Sequence, residues 1–343
     1  MRIKLEQLSQ QLQQHSATLY VLFGNEPLLI QEAADSIRTH AQREGYTERV
    51  VLSADQHFDW SALLTAGSNL SLFSERRIID LRIPSGKPGK EGGKSLEAFC
   101  TALPADTLTL VTLPRIDKQG QASKWFKTLE ACGVVIPVYA IERQQLPQWI
   151  EQRLSHQQQT TDPPALQFFA DRVEGNLLAA HHEIQKLALL YPSGHLTLEQ
   201  IKTAVLDVAR YDAFQLADAM LAADAARYTR ILNGLQGEGT PPLVILATLT
   251  EQIRQLIHLH QGLARGQAAA QLLQAVRVWG DRQKLVMTAV RSLSLPRLSR
   301  GISKAAAIDR IIKGVELGDA WEALLQLGLY LTLHSRNYHG FTR

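Results

Sequence analysis

The sequence has few of the features that identify secreted, membrane-bound or metal-binding proteins. Its 343 residues include two cysteines, Cys100 and Cys132, and neither has a partner at metal-ligand spacing. Apolar runs stay well below the ~18–20 residues that a membrane-spanning helix needs. The amino-terminal stretch MRIKLEQLSQQLQQ lacks the apolar core and the cleavage site of a secretory signal. These absences predict a cytoplasmic protein with no membrane partner and with both cysteines reduced and packed in its core.

The charge balance is too mild to indicate a function by itself. A net charge of +3 permits contact with nucleic acid, but a sequence-specific DNA-binding protein usually has a denser basic surface. With 45% apolar and 20% charged residues, the composition is typical of a folded globular protein. At ~100–200 residues per domain, the length predicts two or three domains.

Strand-like and helical segments alternate over residues 1–140. The strand-like runs are LYVLFG (19–24), VVLSA (50–54), RRIIDLRI (76–83), TLTLVTL (107–113) and VVIPVYA (134–140). Segments with helical spacing, including 58–67, 95–103 and 122–133, lie between them. This alternation predicts an α/β domain with a mainly parallel sheet that is covered by helices.

Amphipathic helical segments replace the strand-like runs after residue 141. Clusters of Gly, Pro, Ser and Thr interrupt them at 160–164, 191–197, 237–242 and 292–297. Thr197 and Gln200 stand at the spacing of a capping box, which predicts a helix start. We therefore expect three domains: an α/β domain over 1–140, a small helical domain over 141–210 and a larger helical domain over 211–343.

The stretch SGKPGKEGGKS (85–95) resembles a phosphate-binding loop because it lies between a strand and a helix. Pro88 occupies the position of the first motif glycine, and proline has no N–H to offer a phosphate. The turn after the first strand, where such a loop usually lies, contains Glu26 and no lysine. The strand that ends at Leu113 also lacks a Walker B carboxylate, since Asp117 comes four residues later.

These departures favour a flexible, solvated basic loop over a nucleotide site. Its lysines, Lys87, Lys90 and Lys94, are then solvated rather than bound to DNA. The alternative is a nucleotide-binding enzyme that uses the 86–95 loop, and binding of labelled ATP would separate the two.

Other catalytic or metal-binding patterns are weak. His181 and His182 are adjacent on a predicted helix, so they point about 100° apart and chelate a metal poorly. His258 and His260 have no third ligand nearby, and no cysteine has a histidine close in sequence to activate it. We therefore predict no catalytic residues, no metal and no cofactor.

Three large apolar residues stand close together in a predicted connection. Leu70, Leu72 and Phe73 follow a helix that ends near Gly67 and are flanked by polar residues. Connections lie on the surface, where aliphatic and aromatic side chains with a polar rim serve as anchors for a partner. The alternative is that the three side chains fold back into the core.

The order and spacing of several segments resemble the delta subunits of bacterial DNA polymerase III. The resemblance covers nearly the whole chain and is carried by GNEPLL (24–29), LSLF (70–73), LPQWI (146–150), EGNL (174–177), EIQKL (183–187), FQLADA (214–219) and DRIIKG (309–314).

This resemblance implies a RecA-like AAA+ domain without a working ATP site, followed by a helical lid and a helical collar. It implies that the chain binds the beta sliding clamp through Leu70, Leu72 and Phe73 and opens the ring for loading onto primed DNA during replication. The collar would join the tau/gamma and delta-prime subunits, which leaves ATP hydrolysis to tau/gamma.

The chain would then have no catalysis of its own, although it belongs to a DNA-directed DNA polymerase, a nucleotidyltransferase complex. Position 70 is often Met in such proteins, and Leu has similar volume and polarity.

Besides the nucleotide-binding enzyme, a second alternative function for the chain is a helical scaffold or DNA-repair accessory protein that does not bind the clamp.

Overall fold

A computed structural model of the protein describes residues 1–14, 17–68, 76–104, 106–205, 209–280 and 282–333. The chain forms two compact units. The first consists of Met1–Ala170 and Asn176–Leu206, and the second of Asp171–Gly175 and Asp207–Arg343. The division into domains at residues 140 and 210 stays a prediction.

The first unit is built on a parallel sheet. Its strands are β1 (Leu19–Gly24), β2 (Glu48–Ser53), β3 (Arg77–Arg82), β4 (Thr107–Pro114) and β5 (Val134–Val138). Within the described residues the five strands are all parallel and follow the order β2-β3-β4-β1-β5. The predicted α/β architecture with a parallel sheet is therefore confirmed.

Helices flank this sheet on both faces. They are α1 (Leu8–Gln14), α2 (Pro27–Arg43), α3 (Ser61–Ser68), α4 (Gly89–Thr101), α5 (Lys118–Gln121) and α6 (Lys124–Cys132). One face of the sheet packs against α3, α4 and α6, and Phe23, Phe99 and Phe126 fill the core between them. Helix α2 covers β1 and β4 on the opposite face.

The remainder of the first unit is mostly helical, as predicted after residue 141. Its elements are α7 (Leu146–His156), β6 (Gln159–Thr161), α8 (Pro163–Val173), α9 (Leu177–Leu190), β7 (Gly194–Leu196) and α10 (Leu198–Ala204), of which α8 ends within the second unit. Strands β6 and β7 form a short parallel ladder that the sequence pattern did not predict. The predicted capping box is confirmed, because Thr197 and Gln200 each accept a backbone N–H of the other.

The second unit is helical in its described part. It contains α11 (Ala213–Leu221), α12 (Ala225–Gly237), α13 (Pro242–Ala264), α14 (Ala269–Ala275), α15 (Arg282–Ser292), α16 (Leu295–Ile312) and α17 (Ala320–Thr332). The buried Tyr228 lies in its core and donates a hydrogen bond of 2.9 Å to the carbonyl oxygen of Leu324. Among the described helices of the whole chain, none has the length and apolar character to cross a membrane.

Candidate functional site

The predicted anchors Leu70, Leu72 and Phe73 lie outside the residues that the structure describes. The described chain ends at Ser68, the last residue of α3, and resumes at Arg76, directly before β3. Arg76 is fixed there, because its guanidinium donates to the carbonyl oxygen of Glu44 at 2.7 Å. The anchors belong to the connection between α3 and β3, and their role stays a prediction.

The stretch SGKPGKEGGKS is not the loose loop that its composition predicted. Helix α4 begins at Gly89, directly after Pro88, so the glycine-rich part of the stretch is helical. Gly92 and Gly93 are buried, and a Cβ atom at Gly92 would lie 2.4 Å from the ring of Trp60. A residue without a side chain is required there because the indole packs against the helix backbone.

This helix does not have the geometry of a phosphate-binding loop. Lys94 and Ser95 stand in the second turn of α4, whereas the motif places both residues at the start of the helix. Their backbone N–H groups lie within the helix and do not converge on a phosphate position. The alternative prediction of a nucleotide site in the 86–95 loop therefore lacks its structural basis.

The turn after β1 is tied to a neighbouring strand and contains an acidic residue, Glu26. The backbone N–H of Asn25 donates to the carbonyl oxygen of Val138 at 3.1 Å, which ties the turn to the end of β5. Burial raises the pKa of Glu26, while a hydrogen bond from the backbone N–H of Leu28 has the opposite effect. Glu26 directly precedes α2, so an acidic side chain stands beside the helix end where a phosphate would otherwise bind.

A cavity of about 1080 Å³ opens beside this turn, at the carboxyl ends of β1, β3 and β4. Helix α2 forms one wall with Ile30 and Ala34, and the strand ends contribute Ile83 and Leu113. This is the edge at which parallel α/β sheets usually bind their ligands. Four arginines also line the cavity, namely Arg38, Arg49, Arg82 and Arg115.

The buried carboxylate of Asp80 positions three of these arginines. Arg38 donates to Oδ2 of Asp80 at 2.9 Å, and Arg49 donates to the same oxygen. Nε of Arg82 lies 3.6 Å from Oδ1, and Oδ1 accepts no hydrogen bond within the described chain. One carboxylate therefore faces three guanidinium groups, and the cavity keeps a positive charge.

This cluster of arginines around Asp80 could not be predicted from the sequence. Its members come from α2, β2, β3 and the residue after β4, so no local motif joins them. One signal was present, since Asp80 interrupts the apolar run RIIDLR and a charge in a buried strand requires partners. Arg49 and Val51 are both exposed and stand two residues apart on β2. They therefore lie on the same face of the sheet as Asp80, which pairs with Val51.

The histidine pair does not form a metal site. His182 is exposed, whereas His181 is half-buried, so the prediction of surface histidines is correct only for His182. Burial lowers the pKa of His181, and the nearby Arg153 lowers it further. Within the described ranges, no group of three or more His, Cys, Asp or Glu side chains is arranged to hold a metal ion.

Both units of the chain are similar to parts of the same known protein family. Residues 20–138 match the family model "DNA polymerase III, delta subunit", and residues 210–326 match the model of the C-terminal domain of that subunit. The chain is 31% identical to DNA polymerase III subunit delta of Escherichia coli over 96% of each chain. It is 29% identical to the Haemophilus influenzae protein of the same name, over 97% of this chain and 99% of that one.

A solved structure shares the fold. The DNA clamp loader delta protein of Bacillus subtilis aligns with a TM-score of 0.53 at 20% identity, over 96% of this chain and 100% of that chain.

Proposed function

Since the chain belongs to the family of DNA polymerase III delta subunits, we propose that it binds the beta sliding clamp and opens the ring for loading onto primed DNA. The observation that carries this proposal is the 31% identity over 96% of the chain to a delta subunit. The name of the Bacillus subtilis structure, a clamp loader delta protein, agrees with the same role.

The proposed contact with the clamp is apolar insertion. Leu72 and Phe73 enter an apolar pocket on the clamp, and Leu70 presses near the interface between clamp subunits. Burial of each side chain contributes about 1.5–3 kcal/mol. To open the ring, the chain must also bind the opened clamp more tightly than the closed one, because equal affinities shift no equilibrium.

The remaining parts of the chain have supporting roles in this proposal. Residues 1–140 form a RecA-like AAA+ domain without ATP hydrolysis, and 141–210 form a lid. Residues 211–343 form the collar that joins the tau/gamma and delta-prime subunits. The helical position of Lys94 and the acidic Glu26 directly before α2 support a division of labour in which tau/gamma hydrolyses ATP.

A double substitution of the anchors tests the proposal. Truncation of a central apolar anchor costs about 2 kcal/mol or more, so Leu72→Ala with Phe73→Ala should weaken clamp binding at least ~100-fold. Binding is measured by titration with purified clamp, and opening by a fluorophore placed at the clamp interface.

The matched control removes two exposed apolar side chains from the same unit, with Val51→Ala and Leu64→Ala. This control should bind and open the clamp as the unaltered chain does. Near-normal clamp binding by a folded Leu72→Ala, Phe73→Ala protein would refute the assignment of the anchors.

A further inference from the structure

The cavity at the carboxyl edge of the sheet has basic side chains that the described part of the chain does not neutralise. Arg38 is paired with Asp35 and Asp80, and its side chain is only 14% exposed. Arg82 is 50% exposed, and its one acidic neighbour among the described residues is Asp80, with Nε 3.6 Å from Oδ1. Arg115 is exposed and pairs with none of the acidic side chains in the described part of the chain. These last two guanidinium groups are available to an anionic partner.

The cavity also offers apolar surface beside this charge. Ile30 and Ala34 of α2 face Ile83 and Leu113 across it, and Pro27, Pro84 and Pro114 extend the apolar wall. An occupant that fits both features carries negative groups at the arginines and an apolar group in the cavity. The combination of carboxylates with aliphatic side chains is characteristic of acidic protein segments.

Phosphate-bearing ligands fit the same cavity less well. Phosphates often bind the free N–H groups of a helix amino terminus, but the first residue of α2 is Pro27, which has no N–H, and the preceding residue is the acidic Glu26. Single-stranded nucleic acids are bound by a positively charged groove together with aromatic side chains on which their bases stack. Among the described residues that line this cavity, none has an aromatic side chain.

We infer that this cavity is a docking site for an acidic segment of a partner protein. An apolar side chain of that segment fills the space between α2 and the strand ends. Its carboxylates bind Arg82 and Arg115 at the rim, with the exposed part of Arg49 beside them. Planar guanidinium groups suit this role because they bind carboxylates through two parallel hydrogen bonds.

A peptide array tests the inference with the full-length chain. Overlapping 15-residue peptides cover the tau/gamma and delta-prime subunits and the clamp, a choice of partners that rests on the proposed function. Peptides retained by the unaltered chain should be rich in Asp and Glu next to aliphatic residues. The affinity of the best peptide is then measured by fluorescence anisotropy.

Two variants locate the binding surface. Arg82→Gln with Arg115→Gln removes the two cavity arginines that have the weakest pairing with acidic side chains. Gln31 is exposed and lines the cavity, so Gln31→Trp places a large ring there. Each variant should lower the affinity at least tenfold. Lys90→Ala with Lys94→Ala removes two exposed cations of the same unit outside the cavity and should leave the affinity unchanged. Circular dichroism verifies that each protein is folded.

Three results would overturn the inference. The first is that the binding of no peptide is weakened by loss of Arg82 and Arg115. The second is that the peptides whose binding is weakened are not acidic. The third is that inorganic triphosphate or a 20-nucleotide oligothymidine binds more tightly with the same arginine dependence, which would assign the cavity to phosphate. Clamp retention by the unaltered chain, measured in parallel, tests the proposed function separately.

Discussion

The two cysteines differ in chemistry although they lie close together. Cys100 is buried on α4, whereas Cys132, the last residue of α6, is exposed with its Sγ 3.7 Å from the carbonyl oxygen of Cys100. Burial, assisted by the neighbouring Cys132, raises the pKa of Cys100 to about 12. The sequence predicted two core cysteines, which is correct for Cys100 and wrong for Cys132.

Alkylation should distinguish these two thiols. Because the thiolate is the reactive form, Cys100 should resist iodoacetamide at pH 8 in the folded protein, and Cys132 should be modified. In concentrated guanidinium chloride both should react, because unfolding removes the burial that raises the pKa of Cys100. Peptide mass spectrometry gives the extent at each site.

A folded Cys132→Ser protein provides the control for this measurement, and it should take up almost no reagent. Equal modification rates at the two sites of the unaltered protein would show that Cys100 is not protected.

At the scale of the element, helix α4 shows why composition misled the prediction for residues 89–94. Glycine lowers helix stability by about 0.5–1 kcal/mol relative to alanine, so two adjacent glycines favour a loop. In the folded protein, however, the buried Gly92 lets the ring of Trp60 pack against the helix. Tertiary packing thus offsets the low helix propensity of the segment.

Two alanine substitutions in α4 should have opposite effects. Gly92→Ala should lower the free energy of unfolding by about 1–3 kcal/mol, because the new Cβ would lie 2.4 Å from Trp60 and 2.8 Å from Pro88. Gly93→Ala is the matched control: its Cβ would meet Trp125 at 3.6 Å, an ordinary contact. That variant should gain about 0.5–1 kcal/mol from helix propensity.

Denaturation by urea, monitored by circular dichroism, measures both free energies. If Gly92→Ala stabilised the protein as Gly93→Ala does, Trp60 would have to pack differently from the arrangement described.

At the scale of the whole molecule, the second unit leaves large apolar side chains exposed. Phe214 at the start of α11 is 63% exposed and Trp279, before α15, is 60% exposed. Leu243 and Val244 in the first turn of α13 are also about half exposed. Exposed aromatic side chains of this kind often mark protein interfaces, which agrees with the proposal that residues 211–343 form the collar.

Loss of these side chains should impair assembly. Phe214→Ala with Trp279→Ala should reduce incorporation into a complex with tau/gamma and delta-prime at least tenfold, because buried aromatic anchors carry a large share of interface energy. Size-exclusion chromatography of the mixed subunits measures incorporation, and clamp binding by the isolated variant should be unchanged.

Leu189→Ala is the control, since Leu189 is an exposed residue of α9 in the first unit. It should assemble normally. Full incorporation of the Phe214→Ala, Trp279→Ala protein would remove these two residues from the subunit interface.

The amino-acid sequence alone determined the alternation of strands and helices, the capping of α10 by Thr197 and the membership of the family. These features depend on local patterns, because side-chain periodicity and helix-start signals act over a few residues. The resemblance to delta subunits likewise rests on segments that are each recognisable in the linear sequence.

Tertiary structure alone decided the start of α4 and the arrangement of the arginines around Asp80. Both depend on residues that are distant in sequence: Trp60 packs on Gly92, and Arg38, Arg49 and Arg82 converge on one carboxylate. A helix of low intrinsic propensity and a buried charge are each unfavourable in isolation, and they become stable only when the fold supplies the ring or the guanidinium groups that compensate them.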